Sequence, residues 1–187
     1  MFLRLTAYLI IPVYTLLFVR DTDWMRENLS VIGSWPGRQS AFFGLGVVVG
    51  LYFHQVLGRL ARLLPGKGER RLLHLALWLL LAAGSTPYLP ERVPFQAFLH
   101  VAFAFSASLI LLFCLFQLVW KLPSLGDRER LWKMMEPYRR GLLAISGVSG
   151  ILFAEAGIIS TALEVFYLIS TAVFVQRLYE RITAAGL

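Results

Sequence analysis

"FQAFLHVAFAFSASLILLFCLFQLVW", residues 95–120, decides the fold class of this chain. The run contains no Asp, Glu, Lys or Arg along its whole length. A helix needs roughly 20 consecutive apolar residues to cross the hydrocarbon core of a bilayer. Residues 95–120 are therefore predicted to form a membrane-spanning helix.

The composition of the whole chain agrees with this interpretation. Of its 187 residues, 58% are hydrophobic and only 16% are charged. A soluble domain of this size cannot bury so much apolar surface, so we expect an all-α, polytopic membrane protein with one transmembrane domain over residues 1–187. The single Cys114 lies inside an apolar run, which leaves no disulfide framework and no Cys-based metal site within one chain. No metal and no other cofactor is expected.

Six apolar runs are long enough to be read as spanning helices, which predicts a six-helix transmembrane bundle. The first run contains Pro12, which removes one helical hydrogen bond and predicts a kink. The approximate ranges of the six runs are 3–19, 40–61, 71–88, 95–120, 140–157 and 161–179.

The basic residues predict the orientation of this bundle, because cytoplasmic loops are enriched in Lys and Arg. With six spans, 14 of the 18 Lys and Arg residues fall on the side that holds both termini. We therefore expect a multi-pass protein of the cell membrane with cytoplasmic N- and C-termini. The formal net charge of +7 then suits lipid phosphates, and nucleic acid is not expected as a partner.

Small residues in three of the runs predict where helices approach closely. In the fourth run, Ala102 and Ser106 are four residues apart. Gly46 and Gly50 are four residues apart in the second run, and Ser146, Gly150 and Ala154 repeat the same spacing in the fifth. Each set is a possible seam, either inside the bundle or between two copies of the chain.

The connector over residues 121–140 has a pattern of its own. Asp127 can cap a short helix whose Leu131, Trp132 and Met135 lie in the membrane interface, with Pro137 ending it. The simpler interpretation is a surface helix that links two spans.

Ionisable residues near the membrane are the first candidates for function, because they are costly to bury. Glu164 follows Thr161 at the spacing of a capping box, so it either caps its own helix or binds a ligand or proton. Glu155 and His100 fall near the same predicted outer surface. These three residues are the catalytic candidates, and acidic residues of the 20–40 loop can join them.

The outward loop over residues 20–40 is the longest polar connection on the predicted outer side. Its segment 29–32 is too apolar to lie freely in water, so we expect it to fold against the bundle. The predicted ligand-binding residues are those of this loop together with the two carboxylates beneath it, namely Asn28, Ser30, Trp35, Arg38, Glu155 and Glu164.

Ser30, Gly33 and Pro36 form a Ser-x-x-Gly-x-x-Pro pattern between the first run and a Gly-rich second run. This pattern resembles the outward loop of six-helix membrane proteins of the DRAM type, and the Ser-x-x-Gly part is similar to small bacterial integral membrane proteins of an uncharacterised family. The chain departs from the DRAM-type pattern at Val31, where an acidic residue is usual, and at Gly37, where a Glu is expected. The resemblance implies a six-helix membrane fold.

Three functions fit these observations. The first is a non-enzymatic integral membrane protein whose outer face binds a lipid, a peptide or a protein partner. The second is a membrane enzyme that acts on lipid or headgroup substrates through outer-face carboxylates and His100. The third is a small transporter that works as an oligomer. Membrane lipids are the expected partners, with a membrane protein or a second copy of the chain as further possibilities.

Overall fold

The computed structural model describes residues 1–63, 67–86, 88–125 and 128–186. Within these ranges every regular element is helical, which confirms the all-α class. A short 3₁₀ segment, Leu122–Leu125, follows the fifth helix. The helices are α1 (Phe2–Phe18), α2 (Leu29–Ser34), α3 (Gln39–Ala61), α4 (Lys67–Ser85), α5 (Pro94–Lys121), α6 (Arg128–Ala156) and α7 (Thr161–Ala184).

Among the described residues, three helices are long and apolar enough to cross a membrane by length and composition, and they are α3, α5 and α7. Helix α1 is apolar but shorter. Helices α4 and α6 begin with charged sequences, KGERR and RERLWK, which lower their apolar content. These three helices have the length and composition that the prediction of membrane-spanning helices requires.

Helix α1 is irregular, although the irregularity is not a break at Pro12. It starts as an α-helix over Phe2–Leu5, widens into a π-helical turn over Thr6–Ile10 and continues as an α-helix to Phe18. Pro12 cannot donate to the carbonyl four residues before it, and the wider turn ends just ahead of it.

Helix α6 corrects the predicted connector, because it is continuous through Pro137. The Arg139 guanidinium donates to the Trp132 carbonyl oxygen at 2.9 Å and lies 3.8 Å from the centroid of the Trp132 ring. This contact spans the turn that contains Pro137, whose ring supplies no N–H to the Lys133 carbonyl. Leu131 and Met135 are buried in the protein and do not face the membrane interface. Asp127, the predicted cap, lies outside the described residues.

Three charged side chains near Pro137 form ion pairs with one another. The Glu136 carboxylate accepts hydrogen bonds from Arg139 at 2.9 Å and from Arg140 at 2.8 Å. These two bonds, Arg139 first, lower the pKa of Glu136. Their small contribution to stability is therefore present above the ordinary carboxylate pKa and is lost as the pH falls through the lowered value.

The helices pack into one bundle with two unlike ends. The loop end carries the connections 19–38, 88–93 and 157–160, and the opposite end carries the C-terminal parts of α3, α5 and α7. Helix α4 packs on α3 and α5, while α7 packs on α1, α3 and α6. Fully buried apolar side chains concentrate at the opposite end, where α3, α5, α6 and α7 meet; they include Val56, Leu115, Leu142, Val175 and Leu178.

A polar network stabilises the same end. The Tyr52 hydroxyl donates to the Ala172 carbonyl at 2.9 Å, and the Gln176 amide donates to Glu180 at 2.8 Å. Glu180 also pairs with Arg4 at 2.8 Å. Since buried polar groups stabilise a fold only when they are hydrogen-bonded, this network fixes α1, α3 and α7 in register.

Two glycines allow close approach at the loop end. A Cβ atom on Gly33 would lie 2.5 Å from Cγ of Phe42, and one on Gly44 would lie 2.7 Å from the Tyr14 hydroxyl oxygen. Both distances are too short for a real side chain. Gly33 therefore lets α2 pack directly on α3, and Gly44 lets α3 pack on α1.

Four glycines of the predicted seams do not pack closely within this chain. A Cβ atom on Gly46 or Gly50 would meet no atom within 4 Å, and the same holds for Gly147 and Gly150 on α6. These glycines leave open space beside their helices. For Gly46 and Gly50 that space belongs to a cavity described below.

We expect Gly33→Ala to destabilise the protein by about 1–3 kcal/mol, because the new methyl group must displace the Phe42 ring. The control is Gly147→Ala, where the methyl group enters open space and a helix gains an alanine. Thermal unfolding of both variants in detergent checks the expectation. Equal melting temperatures for the two variants would contradict the close packing of α2 on α3.

Candidate functional site

The loop over residues 19–38 contains a short helix, α2, that packs against the bundle. Asn28 caps this helix, since its side-chain oxygen accepts from the Val31 N–H at 2.9 Å. Leu29 and Ile32 point into the protein and are buried. The apolar part of the loop thus lies against the bundle, and the side-chain oxygen of Asn28 caps α2.

The first turn of α7 holds this loop through main-chain hydrogen bonds. Ser160 is the N-cap residue, and its hydroxyl accepts from the Leu163 N–H. The Thr161 N–H donates to the Glu27 carbonyl at 2.6 Å, and the Ala162 N–H donates to the Trp24 carbonyl at 2.8 Å. Free N–H groups at a helix start need acceptors, and the loop carbonyls supply them.

Glu164 completes the attachment in the opposite direction. Its carboxylate accepts from the Leu29 N–H at 2.6 Å, at the start of α2. The predicted capping box is therefore wrong, because the N-cap is Ser160 and Glu164 caps a different helix, 135 residues away in the chain. We call the bonds from Thr161, Ala162 and Leu29 the loop clasp.

His100 on α5 connects the loop to the end of α4. Its Nδ1 lies 2.8 Å from the Ala83 carbonyl and 2.9 Å from the Thr86 carbonyl, so Nδ1 carries a proton. In the neutral imidazole, Nε2 is then an acceptor, and it lies 2.7 Å from the Ser30 hydroxyl. The ring is 4% exposed, and the Tyr88 ring covers it at 5.5 Å between centroids.

Trp35 and Arg38 fix the end of the loop. The Arg38 guanidinium donates to the carbonyls of Phe18 and Arg20, and it lies 5.5 Å from the centroid of the Trp35 ring. Both residues were predicted to bind a ligand. In the structure they join the two ends of the loop.

A cavity of about 430 Å³ lies beneath the loop, enclosed by α3, α4, α5 and α7. Its wall is almost entirely apolar, and α2 closes one end. Exposed lining residues on α3 and α4 show that it opens sideways between these two helices; they include Phe43, Val47, Leu51, Leu81 and Gly84.

Three predicted site residues, Ser30, His100 and Glu164, line this cavity together at the loop end. Glu155 is exposed at the end of α6 and does not line it. The structure therefore separates the two carboxylates that the sequence placed side by side.

The sequence did not reveal the apolar wall of the cavity. Gly46, Gly50 and Gly84 line it, and a Cβ atom added to any of them would have no neighbouring atom within 4 Å. The glycine spacing was visible in the sequence, but a seam and a cavity wall produce the same spacing. Tyr167 on α7 closes the back, and its hydroxyl donates to the Ser108 carbonyl at 3.1 Å.

Within residues 1–63, 67–86, 88–125 and 128–186, no three His, Cys, Asp or Glu side chains lie close enough to share a metal ion.

Comparison with known proteins does not identify the chain. No protein-family model matches it, and neither a curated protein nor a solved structure is significantly similar to it. The resemblance to DRAM-type and small bacterial membrane proteins, carried by Ser30, Gly33 and Pro36, stays a prediction.

We expect Glu164→Ala to loosen the loop, because the Leu29 N–H loses its acceptor at a cost of about 1–3 kcal/mol. Amide hydrogen exchange over residues 29–32 should then become roughly 10- to 100-fold faster. Glu164→Gln should largely preserve the protection, since the amide oxygen still accepts. Glu155→Ala is the matched control, and an equal effect of both alanine variants would contradict the clasp.

Proposed function

We propose that this protein is a six-span membrane protein that binds a membrane lipid in the cavity beneath the 19–38 loop. The observation that carries the proposal is a largely apolar cavity that opens between two helices and groups Ser30, His100 and Glu164 at its loop end. His54, Ser108 and Thr171 line it further along. A lipid has the same division, with an apolar chain and a polar head. Ligand sites combine an apolar wall with a few convergent polar groups in this way.

The length of the cavity supports one lipid chain as its occupant. Its lining on α3 runs from Phe42 to His54, which corresponds to about 18 Å at 1.5 Å per residue. One leaflet provides about half of the ~30 Å hydrocarbon core. A chain from a single leaflet therefore fits along α3, with its head at Ser30, His100 and Glu164.

The two ends of the bundle favour lipid binding over transport. At the opposite end, Val56, Leu115 and Val175 are fully buried and fill the space between the helices. A transported solute would need a polar path through this region. The cavity instead ends in packed apolar side chains, which suits the tail of a lipid.

The basic residues support an orientation in which the loop end faces outward and both termini are cytoplasmic. In a Cys114→Ala background, Glu91→Cys should react with a membrane-impermeant maleimide added to intact cells. Lys133→Cys should react only after the membrane is permeabilised. Both side chains are exposed, so burial does not decide the result. The reverse pattern of labelling would contradict this orientation.

We expect Gly50→Leu to reduce lipid binding at least about tenfold, because its side chain would occupy the open space beside α3. The measurement is titration of the purified protein with a fluorescent lysophospholipid. Lipid that co-purifies with the wild type, identified by mass spectrometry after extraction, should also decrease in this variant.

The matched control is Gly147→Leu. Gly147 also has open space beside it, but it lies on α6 and does not line the cavity. This variant should bind the lysophospholipid as the wild type does. Equal binding by all three proteins would contradict the cavity as the lipid site.

A further inference from the structure

We propose that Ser30 and His100 form a nucleophile and base that hydrolyse the ester bond of an acyl lipid. The inference rests on the proposed function for its substrate, because the acyl chain would lie in the same cavity. It goes beyond binding by assigning a reaction to the polar end.

The geometry around His100 is that of a general base. A catalytic base must lie within hydrogen-bond reach of the nucleophile and must be oriented by a third group. The distance from Ser30 Oγ to His100 Nε2 is 2.7 Å, and the carbonyls of Ala83 and Thr86 hold the proton on Nδ1. Nε2 is thereby left free to take the Ser30 proton.

The Ser30 hydroxyl has no acceptor in its own helix, because Ser30 is only the second residue of α2. Ser34, one turn later, bonds to the Val31 carbonyl of the same helix. Ser30 instead directs its hydroxyl across to a histidine on another helix, 70 residues away. Both side chains line the cavity, so a bound carbonyl group can reach the hydroxyl.

The main chain at Ser30 adds a hydrogen-bond donor. The neighbouring N–H groups, of Leu29 and Val31, are bound by Glu164 and Asn28. The Ser30 N–H makes no hydrogen bond to the part of the chain that the structure describes. It is therefore available to the negative oxygen that develops when the hydroxyl attacks a carbonyl.

The reaction proceeds in two balanced halves. Ser30 Oγ attacks the ester carbonyl carbon while its proton passes to His100 Nε2. The bond to the alcohol breaks, His100 returns the proton to the leaving oxygen, and an acyl-serine and a free alcohol result. Water then attacks the acyl-serine with His100 as base. The fatty acid leaves, and the proton returns to Ser30.

The test uses an alkyl fluorophosphonate, whose phosphorus bonds to an activated serine oxygen with loss of fluoride. Purified full-length protein in detergent should be labelled, and mass spectrometry should place the adduct on Ser30. Ser30→Ala should abolish labelling, and His100→Gln should slow it about 100-fold or more. The rate of 4-nitrophenyl decanoate hydrolysis should likewise be highest for the wild type, lower for His100→Gln and lowest for Ser30→Ala.

Ser34→Ala is the matched control. Ser34 lies on the same helix, donates to the Val31 carbonyl at 2.7 Å and does not line the cavity. It should be labelled like the wild type. A wild type that stays unlabelled, an adduct on another residue, or equal labelling of Ser30→Ala would overturn the inference.

Lysophospholipid binding separates this inference from the proposed function. Ser30→Ala should still unfold cooperatively in detergent, which shows that its loss of labelling is not a loss of fold. A wild type that binds the lipid but is not labelled would overturn the reaction alone. If the wild type is labelled on Ser30 but Gly50→Leu binds the lipid as tightly as the wild type does, only the cavity as the lipid site is overturned.

Discussion

The hydrogen bond from the Leu29 N–H to the Glu164 carboxylate is the constraint on which the loop end depends. It joins the start of α2 to the first turn of α7, and the returning bonds from Thr161 and Ala162 make the attachment reciprocal. The first turn of α2 thereby finds an acceptor on α7, and the first turn of α7 finds its acceptors in the loop that precedes α2. This attachment presents Ser30 to the cavity.

The two ends of the bundle differ, because one is tightly packed and the other contains the cavity. Apolar side chains and the Tyr52 network fill the opposite end, whereas the loop end keeps a cavity beneath α2. A cavity forfeits contacts between its walls and is therefore costly unless something fills it. The loop clasp and the close contact of Gly33 with Phe42 fix α2 at the end of this cavity.

The sequence predicted the positions of the helices better than the contacts between them. Apolar runs located α3, α5 and α7, since the length of an apolar stretch reports directly on the solvent that surrounds it. It was misleading at Pro137, because a helix can continue through a proline at the loss of one hydrogen bond, as α6 does. It was also misleading at Glu164, where an acceptor for a distant N–H has the same spacing as a local cap.

The candidate site was predictable only as separate residues. Ser30, His100 and Glu164 were all named from the sequence, but nothing local to them encodes the 2.7 Å contact between a loop serine and a histidine 70 residues away. That contact depends on how α2 packs, and the packing depends on Gly33, whose role emerges only beside Phe42. The wall glycines were ambiguous for the same reason.

The sideways opening between α3 and α4 has a consequence for affinity. A molecule that enters through this opening comes from the hydrocarbon phase and has already left water before it meets the protein. Transfer of its chain out of water then contributes nothing to selectivity, because bulk lipid provides that transfer equally well. Discrimination among lipids must come from the shape of the wall and from the head group at Ser30, His100 and Glu164. Under the proposed lipid binding, the few polar atoms at the loop end of the cavity therefore decide which membrane component is retained.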